Sequence, residues 1–94
     1  MSRETRTQLL ELLENKFTGH WKRISEVFIL DDVETFAEGI VNLGDQYRLS
    51  LLTRWGNKLL HEIQNYDIEN SHLTLTGFPE LIKKIKAHAE SGNQ

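Results

Sequence analysis

The fold of this chain is decided by residues 31–47, which read DDVETFAEGIVNLGDQY. Apolar and small residues recur there at three- and four-residue steps, the spacing of one face of an α-helix. The predicted buried face comprises Val33, Phe36, Ala37, Ile40, Leu43, Gly44 and Tyr47. The opposite face carries the polar residues Glu34, Glu38, Asn42 and Asp45. The segment therefore predicts an amphipathic helix, capped by Asp31 or Asp32, with an acidic outer surface.

The segment before this helix carries one continuous apolar stripe with helical spacing. Its members are Leu10, Leu13, Phe17, Trp21, Ile24 and Phe28. Gly19 lies in the middle of the stripe, and glycine in a helix interior costs about 1 kcal/mol relative to alanine. The sequence therefore predicts either a kinked helix or two helices nearly in line, with the break near Gly19.

Three further helices are predicted after residue 47. Ser50 can cap the first of these, and Gly56 can allow a neighbouring helix to approach closely. The inward stripe of that helix is predicted to be Leu52, Trp55, Gly56, Leu59, Ile63 and Tyr66. Asp67 caps a shorter helix that ends at Gly77, with Ile68, Leu75 and either His72 or Leu73 facing inward. Pro79 opens the last helix, in which Leu81, Ile82 and Ile85 pack inward.

These elements predict an all-α fold, because short connections place successive helices antiparallel. We expect an up-and-down antiparallel four-helix bundle with a kinked or split N-terminal helix and a short extra helix. The whole chain, residues 1–94, is predicted to be a single domain with its core over residues 8–87. Residues 91–94 are predicted to be a frayed tail. The aromatic residues Trp21, Trp55, Phe36 and Phe78 are predicted core anchors, with Trp21 the most exposed of them.

Composition excludes several classes of function. The chain of 94 residues is 38% hydrophobic and 27% charged, the balance of a globular domain. It contains no cysteine, so disulfides, thiolate metal sites and cysteine nucleophiles are excluded. The net charge of −3 disfavours nucleic-acid binding. No apolar run reaches about 18 residues and the N-terminus is polar, which predicts a cytoplasmic domain that makes no membrane contact.

No motif in the sequence indicates catalysis, a cofactor or a metal. His61-Glu62 begins like the H-E-x-x-H motif of zinc peptidases, but Asn65 occupies the position of the second histidine. Ser or Thr with an oriented base, and glycine-rich phosphate loops, are also missing from the sequence. The basic cluster at residues 83–86 is interpreted as a solvated helix end, with an acidic-partner patch as the alternative. We therefore predict that the domain is not an enzyme.

The hydrophobic pattern of residues 8–87 resembles the C-terminal helical domains that follow receiver domains in bacterial hybrid sensor histidine kinases and related response regulators. These domains are similar in layout to histidine phosphotransfer domains. The fixed points of the resemblance are Trp21, Phe36-Ala37, Leu43-Gly44, Gly56 and Phe78-Pro79. The resemblance implies a role in two-component signal transduction, in contact with a receiver or kinase domain.

The residues that would carry phosphotransfer are replaced in this chain. Active phosphotransfer domains carry the pattern H-x-L-K-G-x-x-x-x-L-G, and alignment on Leu43-Gly44 places its histidine at Glu34. The lysine and glycine of the pattern align with Ala37 and Glu38. A carboxylate cannot carry phosphate as a phosphoramidate, and Glu38 adds bulk and negative charge where an aspartyl phosphate needs room and a cation. The resemblance thus implies a domain that has lost phosphotransfer.

The leading hypothesis is a non-catalytic interaction and regulatory module that packs against a receiver or kinase domain, in the same polypeptide or in another. Its candidate partner face is Glu34, Glu38 and Asn42. The alternative is an active phosphotransfer protein that uses a non-standard histidine, His61, which is expected to be exposed. A third hypothesis is a structural helical spacer or dimerisation domain.

Overall fold

In the computed structural model, which describes the backbone of residues 3–91 and the side chains of residues 3–87, the chain forms five helices and, over this range, no strand. The first helix is continuous from residue 3 to residue 26 and has three parts, two α-helical and one π-helical. The elements are α1 (Arg3–Glu11), the π segment (Leu12–Phe17), α2 (Thr18–Glu26), α3 (Leu30–Tyr47), α4 (Ser50–Gln64), α5 (Ile68–Thr76) and α6 (Phe78–Ser91). The prediction of an all-helical fold is confirmed. Of the predicted tail, Ser91 is the last residue of α6, and residues 92–94 lie outside the described residues.

The N-terminal helix does not break at Gly19, so that prediction is wrong. Instead, the helix widens to a π-helix over Leu12–Phe17 and returns to α-helix through Gly19. Leu9, Leu13 and Phe17 follow one another at four-residue steps, whereas an α-helix turns once every 3.6 residues. A π-helix has more residues per turn, so it keeps such a stripe on one face. The Thr18 hydroxyl donates a 2.6 Å hydrogen bond to the Leu13 carbonyl where the π segment ends.

The inward stripe of α3 was correctly predicted. Six of the seven residues are buried, and Tyr47 is half-buried. The predicted cap is wrong, because α3 begins at Leu30 and its N-cap residue, Ile29, makes no side-chain hydrogen bond. Asp31 and Asp32 instead lie in the first turn, where carboxylates interact favourably with the helix dipole. The C-terminal end is closed by Arg48, whose left-handed backbone (φ 54°) lets the Leu49 amide donate to the Gly44 carbonyl.

Two buried glycines bring α3 and α4 into close contact. A Cβ atom at Gly56 would lie 2.7 Å from Val41 Cγ2 and 3.1 Å from the Ala37 carbonyl oxygen. A Cβ atom at Gly44 would lie 2.6 Å from the backbone nitrogen of Thr53. Real Cβ atoms essentially never lie within 3.0 Å of a neighbouring heavy atom, and a contact of 3.1 Å is already unusually tight. The expectation that Gly56 permits a close approach is confirmed, and Gly44 does the same about one helical turn away.

The later helices follow the predicted order with several local differences. Asp67 caps α5 as expected, accepting a 3.3 Å hydrogen bond from the Asn70 amide. Ser50 does not cap α4; it is the first helical residue, and Leu49 precedes it without a side-chain bond. Tyr66 was predicted to face inward, but it lies beyond the end of α4 in a left-handed turn (φ 56°) and is 76% exposed. Ile68 and Leu73 are also exposed, so only Leu75 of the large apolar side chains of α5 is buried.

Side chains from every helix form one hydrophobic core. At its centre, the Phe36 ring contacts the rings of Phe17, Trp55 and Phe78, all edge-on at centroid distances of 5.2–6.2 Å. Each such aromatic pair contributes about 0.5–1.5 kcal/mol beyond its burial. The fully buried members of the core are Leu9, Leu13, Val33, Ala37, Ile40, Leu52, Leu59 and Phe78. Phe36 therefore holds the N-terminal helix, α3, α4 and α6 to one another.

Trp21 joins α2 to α5 and is only half-buried. Its ring packs beside Phe78 at 6.1 Å, and its indole Nε1 donates a 2.7 Å hydrogen bond to the Leu75 carbonyl at the end of α5. Tyr66, and not Trp21, is therefore the most exposed large ring among the described side chains.

Replacing Trp21 by phenylalanine should lower the free energy of unfolding by about 1–2 kcal/mol, because the Leu75 carbonyl loses its donor. The measurement is urea denaturation followed by circular dichroism. Trp55→Phe is the matched control, since the Trp55 indole makes no recorded hydrogen bond and should cost less. Equal losses in the two variants would refute a role for the Trp21 hydrogen bond.

Candidate functional site

The candidate partner face lies on the outer surface of α3. Glu38 and Asn42 are exposed, as the helical periodicity predicted, and Glu34 is half-buried at the edge of the same surface. Glu34 and Glu38 are one turn apart, so their carboxylates lie on one side of the helix. Asp45 extends the surface toward the C-terminal end, where it accepts a 3.4 Å hydrogen bond from Thr53 of α4. These residues form a polar strip along α3.

Every charged side chain of the strip is acidic. Over its whole length α3 contains five carboxylates and no Lys, Arg or His. Within the described part of the chain, neither of the two recorded ion pairs involves a residue of α3. Uncompensated carboxylates on one helix raise the local negative potential, which attracts cationic partners and repels anionic ones. The face is thus suited to a basic protein surface.

Ala37, which aligns with the lysine of phosphotransfer domains, is fully buried. Its carbonyl oxygen lies in the contact where Gly56 meets α3. A lysine at this position would have to enter the α3–α4 contact, where there is no space for it. Position 37 is therefore a buried contact position and not a surface position that could hold a cation. Alignment with the phosphotransfer pattern alone did not indicate this difference.

His61, the alternative phosphate acceptor, is exposed on the side of α4 away from the buried Leu59 and Ile63. Its two ring nitrogens lie 3.3 and 3.2 Å from the amide nitrogen of Asn65, which also donates a 2.8 Å hydrogen bond to the His61 carbonyl. The Asn65 side-chain amide thus lies close to both ring nitrogens, and the tautomer of the ring decides which of them can accept a hydrogen bond. No lysine or glycine stands one turn after His61, where Gln64 and Asn65 are found.

The remaining histidines do not assemble into a chemical site in the described residues. His72 stacks on Phe28 with centroids 5.2 Å apart, and His20 packs edge-on against Phe36 at 5.4 Å. No group of three or more His, Asp or Glu side chains in the part of the chain described here is arranged to hold a metal ion. Glu62, the second residue of the H-E pair, is half-buried beside His61.

His20 makes the stability of the fold depend on pH. Burial lowers the pKa of the His20 imidazole below its ordinary value of 6.5, Arg23 lowers it further, and Asp32 opposes the shift. The unfolded chain therefore binds the proton more readily than the folded one. This contribution to stability is complete above pH 6.5 and is lost as the pH falls from that value through the lower pKa of His20 in the folded state.

We expect the free energy of unfolding to decrease between pH 7.5 and pH 5.5, and we expect His20→Gln to make this slope shallower. Urea denaturation at a series of pH values measures it. The unmodified protein, measured in parallel, is the control. An unchanged slope in His20→Gln would show that His20 is not the responsible group.

None of the helices described is long and apolar enough to cross a lipid bilayer. Comparisons with protein-family models, with curated proteins and with solved structures gave no match to this chain.

Proposed function

We propose that this domain is a non-catalytic interaction and regulatory module of a bacterial two-component signalling protein. In this proposal the helices form an up-and-down four-helix bundle of the phosphotransfer type, with α5 as the extra helix. The partner is a receiver or kinase domain, in the same polypeptide or in another. The observation that supports it best is the acidic strip on α3, with Glu34 where an active phosphotransfer domain displays its histidine.

The charge of the strip restricts how such a partner binds. A receiver domain uses an acidic active site, and a second acidic surface would be repelled from it. The module therefore docks against a basic surface elsewhere on the partner and leaves the phosphorylated aspartate free. In this arrangement it regulates signalling by occupying the partner, with no phosphate passed to it.

Two other functions remain as alternatives. Phosphotransfer through His61 requires that Asn65 release the ring and that a partner supply the missing cation. A helical spacer or dimerisation role requires a surface through which two copies associate. Light scattering at micromolar concentration separates the latter from the proposal, because a stable dimer would favour it.

The proposal is tested by adding receiver and kinase domains from the same signalling system to the isotope-labelled domain and recording amide chemical shifts. We expect the largest shifts on the outer face of α3. The double variant Glu34→Lys/Glu38→Lys should weaken binding at least tenfold by reversing two charges on the strip. Glu4→Lys/Glu11→Lys makes the same charge change on the exposed surface of α1 and should bind nearly as the unmodified protein does. Shifts confined to other helices would contradict the proposal.

A further inference from the structure

A surface groove runs between α4, α5 and α6, apart from the acidic strip. Its wall on α4 contains Arg54 and Lys58, one turn apart, and its wall on α6 contains Lys84. The remaining lining residues are Leu51, Trp55, Leu73, Thr74, Gly77, Glu80 and Leu81. From the sequence, Lys84 was interpreted only as part of a basic helix end. Arg54 and Lys58 of α4 come near it only when the chain is folded.

The groove is basic within an acidic protein. Arg54, Lys58 and Lys84 are exposed, and no ion pair recorded for the described residues includes any of them. The single carboxylate of the lining, Glu80, lies 3.3 Å from the Lys83 ammonium and so is already paired. In a chain of net charge −3, three unpaired cations along one groove form a local positive field.

The groove also has an apolar surface. Leu73 is 63% exposed, which is unusual for a large aliphatic side chain, and Leu51 and Trp55 beside it are half-buried. Leu81 is buried and closes the bottom of the groove. An exposed apolar patch rimmed by polar residues is typical of a surface that binds another protein.

This groove and the acidic strip lie on different sides of α4. Thr53 faces α3, where it bonds to Asp45, and Lys58 is turned about 140° from it around the α4 axis at 100° per residue. A partner in the groove would therefore not cover Glu34 or Glu38. Binding in the groove does not depend on the function proposed for the strip.

We infer that the groove binds an acidic amphipathic helix of a partner protein. The apolar face of such a helix covers Leu73 and Trp55, and its Asp or Glu side chains pair with Arg54, Lys58 and Lys84. A phosphate group or a nucleic-acid backbone would pair with the cations but leave the apolar surface uncovered. The α3 strip of a second copy would do the same, because no large apolar side chain of α3 is exposed.

The test is selection from a displayed library of helical peptides, carried out on the whole domain without assuming a partner. We expect enriched peptides with Leu or Phe at three- and four-residue steps and with Asp or Glu beside them. The synthetic peptide should bind at micromolar concentration in calorimetry. The double variant Lys58→Glu/Lys84→Glu should weaken this binding at least tenfold, and Leu73→Ser should weaken it severalfold.

The matched control is Lys16→Glu/Lys22→Glu, which makes the same change of charge at exposed positions of the N-terminal helix, outside the groove. It should bind the peptide with less than a twofold change. Denaturation curves verify that all variants are folded. The inference is overturned if no peptide is enriched, if enriched peptides are basic, or if the control weakens binding as much. It is also overturned if an oligonucleotide, anionic vesicles or a second copy binds the groove more tightly than the peptide.

Discussion

Replacing Phe36 by alanine should lower the free energy of unfolding by about 3–5 kcal/mol. Phe36 is 1% exposed, and its ring contacts the rings of Phe17, Trp55 and Phe78 from three other helices. The variant loses both the buried area of the ring and these contacts, and the surrounding helices cannot close the cavity fully. A domain of this length has a total stability of roughly 5–14 kcal/mol, so the variant should lose between about a fifth and all of it.

The measurement for Phe36 is urea denaturation of the variant and of the Phe36→Leu control. Leucine refills most of the volume and should cost less than about 1.5 kcal/mol. A loss below about 1 kcal/mol in Phe36→Ala would mean that Phe36 is not the centre of the core.

Replacing Gly44 by alanine should have the second largest effect, a loss of about 2–3 kcal/mol. The added methyl group would meet the backbone nitrogen of Thr53 at 2.6 Å, and backbone cannot move aside as a flexible side chain can. α3 and α4 would have to separate, which would loosen the core on both sides of the contact. Gly56→Ala should act in the same direction, because its methyl group would meet the Val41 backbone nitrogen at 3.0 Å.

Gly19→Ala provides the control of opposite sign. Gly19 lies in the interior of the continuous N-terminal helix, and nothing stands within 4 Å of a Cβ atom at that position. Alanine there should raise the free energy of unfolding by about 0.5–1 kcal/mol, since it stiffens the helix without a clash. Thermal unfolding of the three variants measures both signs. A loss of stability in Gly19→Ala, or none in Gly44→Ala, would contradict the packing described here.

The sequence predicted the helical elements well where one apolar face has to be buried. The stripe from Val33 to Gly44 has a single arrangement that removes its apolar side chains from water, so its burial follows from periodicity. Prediction failed at the starts of helices, where alternative first residues differ in free energy by only a fraction of a kcal/mol. Asp31 and Ser50 are good caps, but α3 begins one residue before Asp31 and α4 begins at Ser50 itself, with Leu30 and Leu49 packed against the core.

The break predicted at Gly19 in the N-terminal helix was wrong for a different reason. A glycine lowers helix propensity by about 1 kcal/mol, yet the packing of Trp21 and Ile24 on the later helices outweighs that cost. The distortion occurs instead at Leu12–Phe17, where the four-residue spacing of the stripe and the α-helical period disagree. Tyr66 was misplaced because the stripe of α4 continues in sequence beyond the residue at which the helix ends.

The residues of the candidate sites also divide into those that the sequence predicts and those that it does not. Exposure of Glu38 and Asn42 follows from the α3 period, which one helix determines by itself. The meeting of Lys84 with Arg54 and Lys58 depends on how the helices pack, and no local pattern records that packing.

We propose that the domain binds its partner without accepting phosphate, and a phosphate-transfer assay tests this proposal most directly. A receiver domain carrying radiolabelled phosphate is incubated with a molar excess of this protein, and the label on each chain is followed over time. We expect the label to leave the receiver only by hydrolysis and none to appear on this protein. Acid-labile, base-stable label on this protein that disappears in His61→Gln, or in any other histidine variant, would contradict the claim.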